Sequence, residues 1–321
     1  MTTRTLGTLR VEKAGPLATL QDPGRFGVRR LGVTQGGPAD LHAFAWANHL
    51  LGNAWEAAVL EITLGGLTLV ADQDTRLALC GADLSATLDG ASLSPWQAFT
   101  LPKGKALSFG TPVSGVRAYL AVGGGFHAEP VLGSLACVTR EGLGGHHGNG
   151  TPLATDDRLT FAKEAATATG GSREVPAEER IDYRQPATLA LVPGAQIADF
   201  TGESTFRAFH ADWTVDTRTD RMGVRLTGPR LDCRLETMIS EGIALGAVQV
   251  PPDGQPIALL NDRQTIGGYP RLGTLTPMAC SRLAQCHPGQ KVRLRPVALS
   301  RAQADYLRQL QAFQAPVASR G

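Results

Sequence analysis

A mostly β fold with a few helices is what this sequence predicts, and three observations predict it. Glycine (38) and proline (20) punctuate the 321 residues heavily. Between them lie short β-type runs at 66–70, 76–80, 116–122, 189–192 and 256–260, often about ten residues apart, the spacing of a barrel or sandwich. Nothing in the pattern alternates strand and helix in the manner of βα units.

In chain order, the first distinct feature is the segment Gln21-Asp22-Pro23-Gly24-Arg25-Phe26-Gly27. Asp-Pro-Gly is turn chemistry. Gln21 and Arg25 flank the turn and can reach a ligand, whereas Asp22 can be an Asx-turn residue with no further role. A helix is expected over 38–51: Leu41, Phe44, Ala45, Asn48 and Leu51 follow helical spacing, Asp40 stands near the N-terminus, and Gly52-Asn53 ends it. Gly123-Gly124-Gly125 follows a strand and mimics the start of a dinucleotide fingerprint. Pro130 and Gly133 stand where that motif needs a helix, so a tight turn accounts for it better.

The segment 144–150 reads as a polar, glycine-rich loop carrying His146 and His147. Adjacent histidines point apart on most backbones and no third ligand is placed near them, so no metal site is expected; Cys280 and Cys286-His287 share that weakness. The stretch 162–184 is poor in large apolar residues and reads as a linker. This divides the chain into an N-terminal β domain (1–165), a linker (166–184) and a C-terminal β domain (185–321) that ends in a helix. That last helix is expected over 300–313, with Ser300 as N-cap, packed outside the second domain.

Composition narrows the function. The net charge of +2 and the dispersed arginines do not support a nucleic-acid footprint. No apolar run approaches the roughly 20 residues of a membrane span, and the first eleven residues lack the apolar core of a signal peptide. Five cysteines, an odd and sparse set, read as reduced thiols of a cytoplasmic protein. The chain has no phosphate-binding loop of the Gly-x-x-x-x-Gly-Lys type, and no Met-Lys-Met segment to carry biotin.

The strongest constellation lies in the second half. Ser240-Glu241-Gly242 precedes 246–256, and an apolar strand at 257–260 then delivers Asn261-Asp262-Arg263-Gln264-Thr265-Ile266-Gly267-Gly268-Tyr269-Pro270. Polar residues at the end of an apolar strand suit a barrel mouth, and the paired glycines allow close approach. Upstream, Arg221 and Arg225 can clamp a carboxylate or phosphate. The competing reading is an internal salt-bridge network of Asp220, Arg221, Asp262 and Arg263.

These motifs resemble a known family. Gln21-Asp22-x-Gly24-Arg25-x-Gly27, Gly32-Val33-x-x-x-Gly37-x-x-Asp40, Asn48-x-Leu50-Leu51-Gly52-Asn53 and Leu60-Glu61-x-Thr63 are similar to the opening of the carboxyltransferase family that includes the C subunit of bacterial 5-oxoprolinase. Asp220-Arg221-Met222-Gly223, Ser240-Glu241-Gly242 and the long run from Gln249 to Pro270 continue the match. The resemblance implies two tandem cyclophilin-like β-barrel domains. It implies work with two partner chains of 5-oxoprolinase, one KipI-like (the B component) and one LamB/YcsF-like (the A component), in ATP-dependent opening of 5-oxo-L-proline to L-glutamate. ATP would be a co-substrate bound with or by a partner chain.

Related members act as urea-amidolyase carboxyltransferases or, in KipA-like proteins, as regulators of a kinase inhibitor; these are the alternatives. Under the main reading Asp262, Arg263 and Gln264 are the catalytic candidates. Arg221, Arg225, Gln249, Thr265, Tyr269, Gln21 and Arg25 are the substrate-binding ones. Departures at Leu135-Ala136-Cys137 and at 277–281 leave room for a different substrate.

Overall fold

The computed structural model describes residues 6–162, 174–235 and 238–314. The first half is two stacked antiparallel sheets. One runs in the spatial order Phe126–His127, Arg158–Ala162, Leu6–Lys13, Thr68–Ala71, Ala106–Ser108, Thr87–Leu88, Ala91–Ser92. The other runs Leu17–Gln21, Val59–Thr63, Ser114–Val122, Thr75–Asp83, Gln97–Leu101.

The second sheet reads as nearly continuous apolar sequence because both of its faces are covered. Alternate residues Leu60, Ile62, Leu77, Leu79, Ala118 and Leu120 face the first sheet. Their neighbours Val59, Ala78, Cys80, Tyr119 and Ala121 face helix α1 (Leu41–Leu51). Helix α1 starts where expected. Asp40 sits in extended conformation and its Oδ1 accepts the amides of His42 and Ala43, while Gly52 closes the helix at φ 70°, a conformation that favours glycine.

The second half contains a closed seven-stranded barrel, ordered Ala187–Pro193, Arg271–Leu275, Ala247–Gln249, Ile257–Leu259, Gly223–Thr227, Trp213–Thr219, Lys291–Pro296. Closure comes from parallel pairing of its first and last strands, Ala187 opposite Val292 through Leu191 opposite Pro296. Its interior is filled by Leu189, Leu191, Val215, Leu226, Val248, Leu272, Val292 and Leu294, so the barrel is a core and not a channel. A two-stranded ribbon, Glu241–Gly242 with Ile266–Gly267, stands outside it. Helices α2 (Gly202–His210) and α3 (Pro277–Ala284) complete this half.

The mostly β class holds, and the closed barrel lies in the second half. Two expectations need correction. Part of the supposed linker, 163–173, lies outside the described residues, but the rest is built in: Glu174 bridges to Gln97, and Val175 and Tyr183 are buried against α1 and its sheet. The C-terminal helix α4 spans Leu299–Gln314, and the Ala302 amide donates to the Ala298 carbonyl, so Ser300 lies in the first turn rather than capping it. Nor does α4 belong to the second half alone. Phe313 packs edge-on to Trp46 at 5.2 Å and stacks on Trp55 at 6.4 Å, which ties the chain's end back to the first half.

Candidate functional site at the junction of the two halves

Several of the segments that carried the sequence argument meet at the junction between the sheets and the barrel, where Arg221 reaches Glu61 and Arg29 reaches the Ile243 carbonyl. They divide there into two groups of opposite character.

The first group is a closed polar seam. Arg221, 8% exposed, grips Asp262 with two bonds, Nε to Oδ2 at 2.9 Å and Nη2 to Oδ1 at 3.0 Å, and its Nη2 also donates to the Gly37 carbonyl at 2.7 Å. Its Nη1 donates to Glu61 Oε1. Arg117 lies 3.8 Å from the same oxygen. The other oxygen of Glu61 accepts the Ala39 amide at 2.9 Å and the Tyr119 hydroxyl at 2.8 Å.

The seam continues through Asp40, whose Oδ2 accepts the Tyr183 hydroxyl at 2.7 Å and the Gln285 amide at 2.9 Å. Burial acts to raise the Glu61 carboxyl, but Arg221 and Arg117 outweigh it and hold the group below its usual range. Burial pushes the Asp262 carboxyl up, and Arg221 offsets this only in part. Arg221 and Arg117 face Glu61 and Asp262, two positive charges against two negative ones, whereas the third buried carboxylate, Asp40, is held by neutral amide and hydroxyl donors. This is the internal network weighed against a site, with Glu61 and Arg117 as its unforeseen members. Asp220 stands outside it and caps the Met222 and Gly223 amides.

The second group is unbalanced. Arg263, 3% exposed, donates from Nε to the Ile243 carbonyl at 3.3 Å and from Nη1 to the Leu260 carbonyl at 3.2 Å. Arg29, on the single turn Arg29–Leu31 of the first half, donates to the same Ile243 carbonyl and to the Thr265 carbonyl at 3.3 Å. Among the described residues neither guanidinium has an ion-pair partner. Burial, then the neighbouring Arg29 charge, pushes Arg263 down to about 10, and burial also lowers Arg29. The Nη1 of Arg29 is buried without a hydrogen bond. An open groove of about 620 Å³ runs alongside, lined by Arg29, Arg30, Gly242, Ile243, Thr265 and Ile266 among others. Two desolvated guanidiniums without an ion-pair partner among the described residues thus lie together here, and one of them, Arg29, faces the open groove; this is the chemistry that suits a carboxylate or phosphate.

Of the residues singled out in the sequence, Thr265 lines this groove. Arg263 lies directly behind it, joined to Arg29 through the shared Ile243 carbonyl, and Gln264 is half-buried between the two. The others need correction as groove residues. Asp262, 4% exposed and held by two bonds to Arg221, is not free to act as a base; it orients an arginine. Arg221 is neutralised in the seam. Arg225 pairs with Asp253 on the outside of the barrel. Gln249 is buried under Gly267 with its Nε2 unpartnered. Tyr269 projects from the surface, 44% exposed.

Gln21 and Arg25 are scaffold. Gln21 donates to the Cys137 carbonyl at 3.1 Å. Arg25, 1% exposed, donates to the Val131, Ser134 and Ala136 carbonyls, while Asp22 accepts from the Ser134 hydroxyl and the Leu135 amide. Together they pin the segment 131–136 to the turn. Sequence reasoning missed Arg29 and Arg30, for which an Arg-Arg pair between Gly27 and Gly32 is the available signal. Sequence reasoning placed no third group of metal-ligating type near His146 and His147, but in space Asp157 stands beside them.

Residues 31–296 match the model of the carboxyltransferase domain family, subdomains A and B. The chain belongs to this family. Within it, the carboxyltransferase-domain chain is 35% identical to the Escherichia coli protein named as the C subunit of 5-oxoprolinase over 297 residues, 92% of this chain and 93% of that one. It is 33% identical to the Haemophilus influenzae protein of the same name, covering 89% of this chain and 90% of that one. It also superposes on the crystal structure of the K. lactis urea amidolyase with a TM-score of 0.87 and 25% identity, over 95% of this chain and 20% of that much longer one. Among the described residues no helix is long and apolar enough to cross a membrane.

Proposed function

We propose that this chain is the C subunit of a cytoplasmic 5-oxoprolinase complex, acting with its KipI-like and LamB/YcsF-like partner chains to open 5-oxo-L-proline to L-glutamate at the expense of ATP. The observation that carries the reading is similarity to two proteins bearing that name, over 92% of this chain and 93% of the first and over 89% and 90% with the second. The Arg29–Arg263 pair supports it chemically, because 5-oxoproline and ATP are both anions.

A lactam is a stable amide, and transfer of phosphate to its oxygen would make the carbonyl carbon open to water. The protein's task is to hold the carboxylate and to neutralise charge that develops on the phosphorylated oxygen. In this reading Arg29, on the groove wall, holds the anion, Arg263 adds positive charge from beneath that wall, Arg30 meets a charge further out, and Thr265 and Gln264 supply hydrogen bonds to the amide. ATP is assigned to a surface shared with, or supplied by, a partner chain.

Reconstitution with the partner chains tests this. Glutamate release should require 5-oxoproline and ATP, and should fall about 100-fold in Arg263→Met, the scale of losing one preorganised charge contact. Activity within twofold of wild type in a correctly assembled Arg263→Met complex would remove the groove from the mechanism. The urea-amidolyase likeness favours a second reading, a carboxyltransferase served by a biotin carrier on another chain. Dependence on biotin and bicarbonate, with no glutamate formed from 5-oxoproline, would establish that one instead.

A further inference from the structure

The loop 144–150 carries a cluster that no step of the proposed reaction uses. We propose that His146, His147 and Asp157 bind a divalent transition-metal ion of the zinc type. Their ligand atoms lie within 4.8 Å of one another. The two imidazoles converge, with ring centroids 4.7 Å apart at 69°, where neighbouring side chains on an extended strand would diverge. Asp157 comes from the turn leading into the strand Arg158–Ala162, and its Oδ2 lies 3.0 Å from His147 Nε2.

A plain His–Asp pair explains His147 and Asp157 but leaves His146 over. Its Nδ1 is buried without a hydrogen-bond partner, a state that costs free energy unless something else satisfies the nitrogen. One ion shared by the three side chains satisfies it. Two imidazoles and one carboxylate are a standard zinc ligand set, with a further position left for water.

The surrounding backbone holds the cluster in shape. The Ala154 amide donates to Asp157 Oδ2 at 2.7 Å and orients the carboxylate. The Gly145 amide donates to the Leu135 carbonyl at 2.9 Å, and the Gly150 amide to the Gly144 carbonyl at 2.9 Å. Gly144 stands at φ 65°, and a Cβ there would lie 2.2 Å from Arg25 Nη2 and 2.3 Å from the Ala136 carbonyl. The loop is therefore seated on the scaffold that Arg25 organises, and the metal would fasten its outer edge.

Calorimetric titration of the purified chain with zinc chloride should show one ion per chain. His146→Ala and Asp157→Asn should each weaken binding about tenfold or more, with far-ultraviolet circular dichroism unchanged. Zinc should raise the Tm of the wild type and not that of either variant. Cobalt(II) in place of zinc should give a d–d absorption without a sulfur charge-transfer band, which separates this site from the five cysteines. Absence of stoichiometric uptake, retention of full affinity in both variants, or a thiolate band would overturn the assignment.

Discussion

Arg221 and Arg263 lie in the same signature region, are similarly buried at 8% and 3% exposure, and sit at the same junction. What differs is the charge facing them. Arg221 meets Asp262 and Glu61; Arg263 meets two carbonyls and a second arginine. Moving an ion out of water costs several kcal/mol, which excellent pairing geometry can offset. The seam has that geometry and so reads as a clamp between the halves. Arg263 lacks it, and repulsion from Arg29 adds to the cost, so Arg263 contributes no comparable clamp. Burial alone therefore does not tell these two arginines apart; the charge that faces each one does.

Breaking the balanced side should have the largest effect. Glu61→Ala leaves Arg221 and Arg117 facing one carboxylate, and unfolding in urea should show a loss of about 3–5 kcal/mol. A loss below about 1 kcal/mol would mean that the seam is not a clamp. The unbalanced side should behave in the opposite way. Arg263→Met removes an uncompensated charge along with two carbonyl contacts, so stability should move by less than about 1 kcal/mol while the activity of the assembled complex collapses.

Acid should sharpen the contrast next. The Glu61 carboxyl is held below its ordinary value of 4.5, so its stabilisation is full above that pH and drains away as pH falls through the lower folded-state value. Glu61→Gln should flatten this part of the stability–pH curve. An unchanged acid slope in that variant would show that Glu61 is not charged in the fold. The smallest effect belongs to Arg225→Ala, because its pair with the half-exposed Asp253 lies on the barrel's outside. About 1 kcal/mol or less of stability and no more than a twofold change in activity are expected.

How much of this was legible depended on distance along the chain. The helix at Leu41–Leu51 was readable because its cap, periodicity and glycine stop fall within a dozen residues, and the Asp22 turn was readable for the same reason. The two candidate arginines could not be sorted by reading outward from them. Arg221 finds Glu61 160 residues away, and Arg29 reaches the Ile243 carbonyl across 214. Asp157 escaped notice beside His147 because a turn, not adjacency, brings it there.

Local grammar in the chain, through strand and helix periods, turn residues and signature motifs, was sufficient to determine a mostly β protein, helices α1 and α4 but not α2 and α3, and its family. Those features depend on interactions among neighbours a few residues apart, which any reader of the chain can see. Tertiary structure alone decided which half closes into a barrel, since closure requires Ala187–Pro193 to pair in parallel with Lys291–Pro296 across the whole second half. It also decided which arginine is neutralised and which is left without a facing carboxylate, because a charge's partner is set by the distant strand that docks against it.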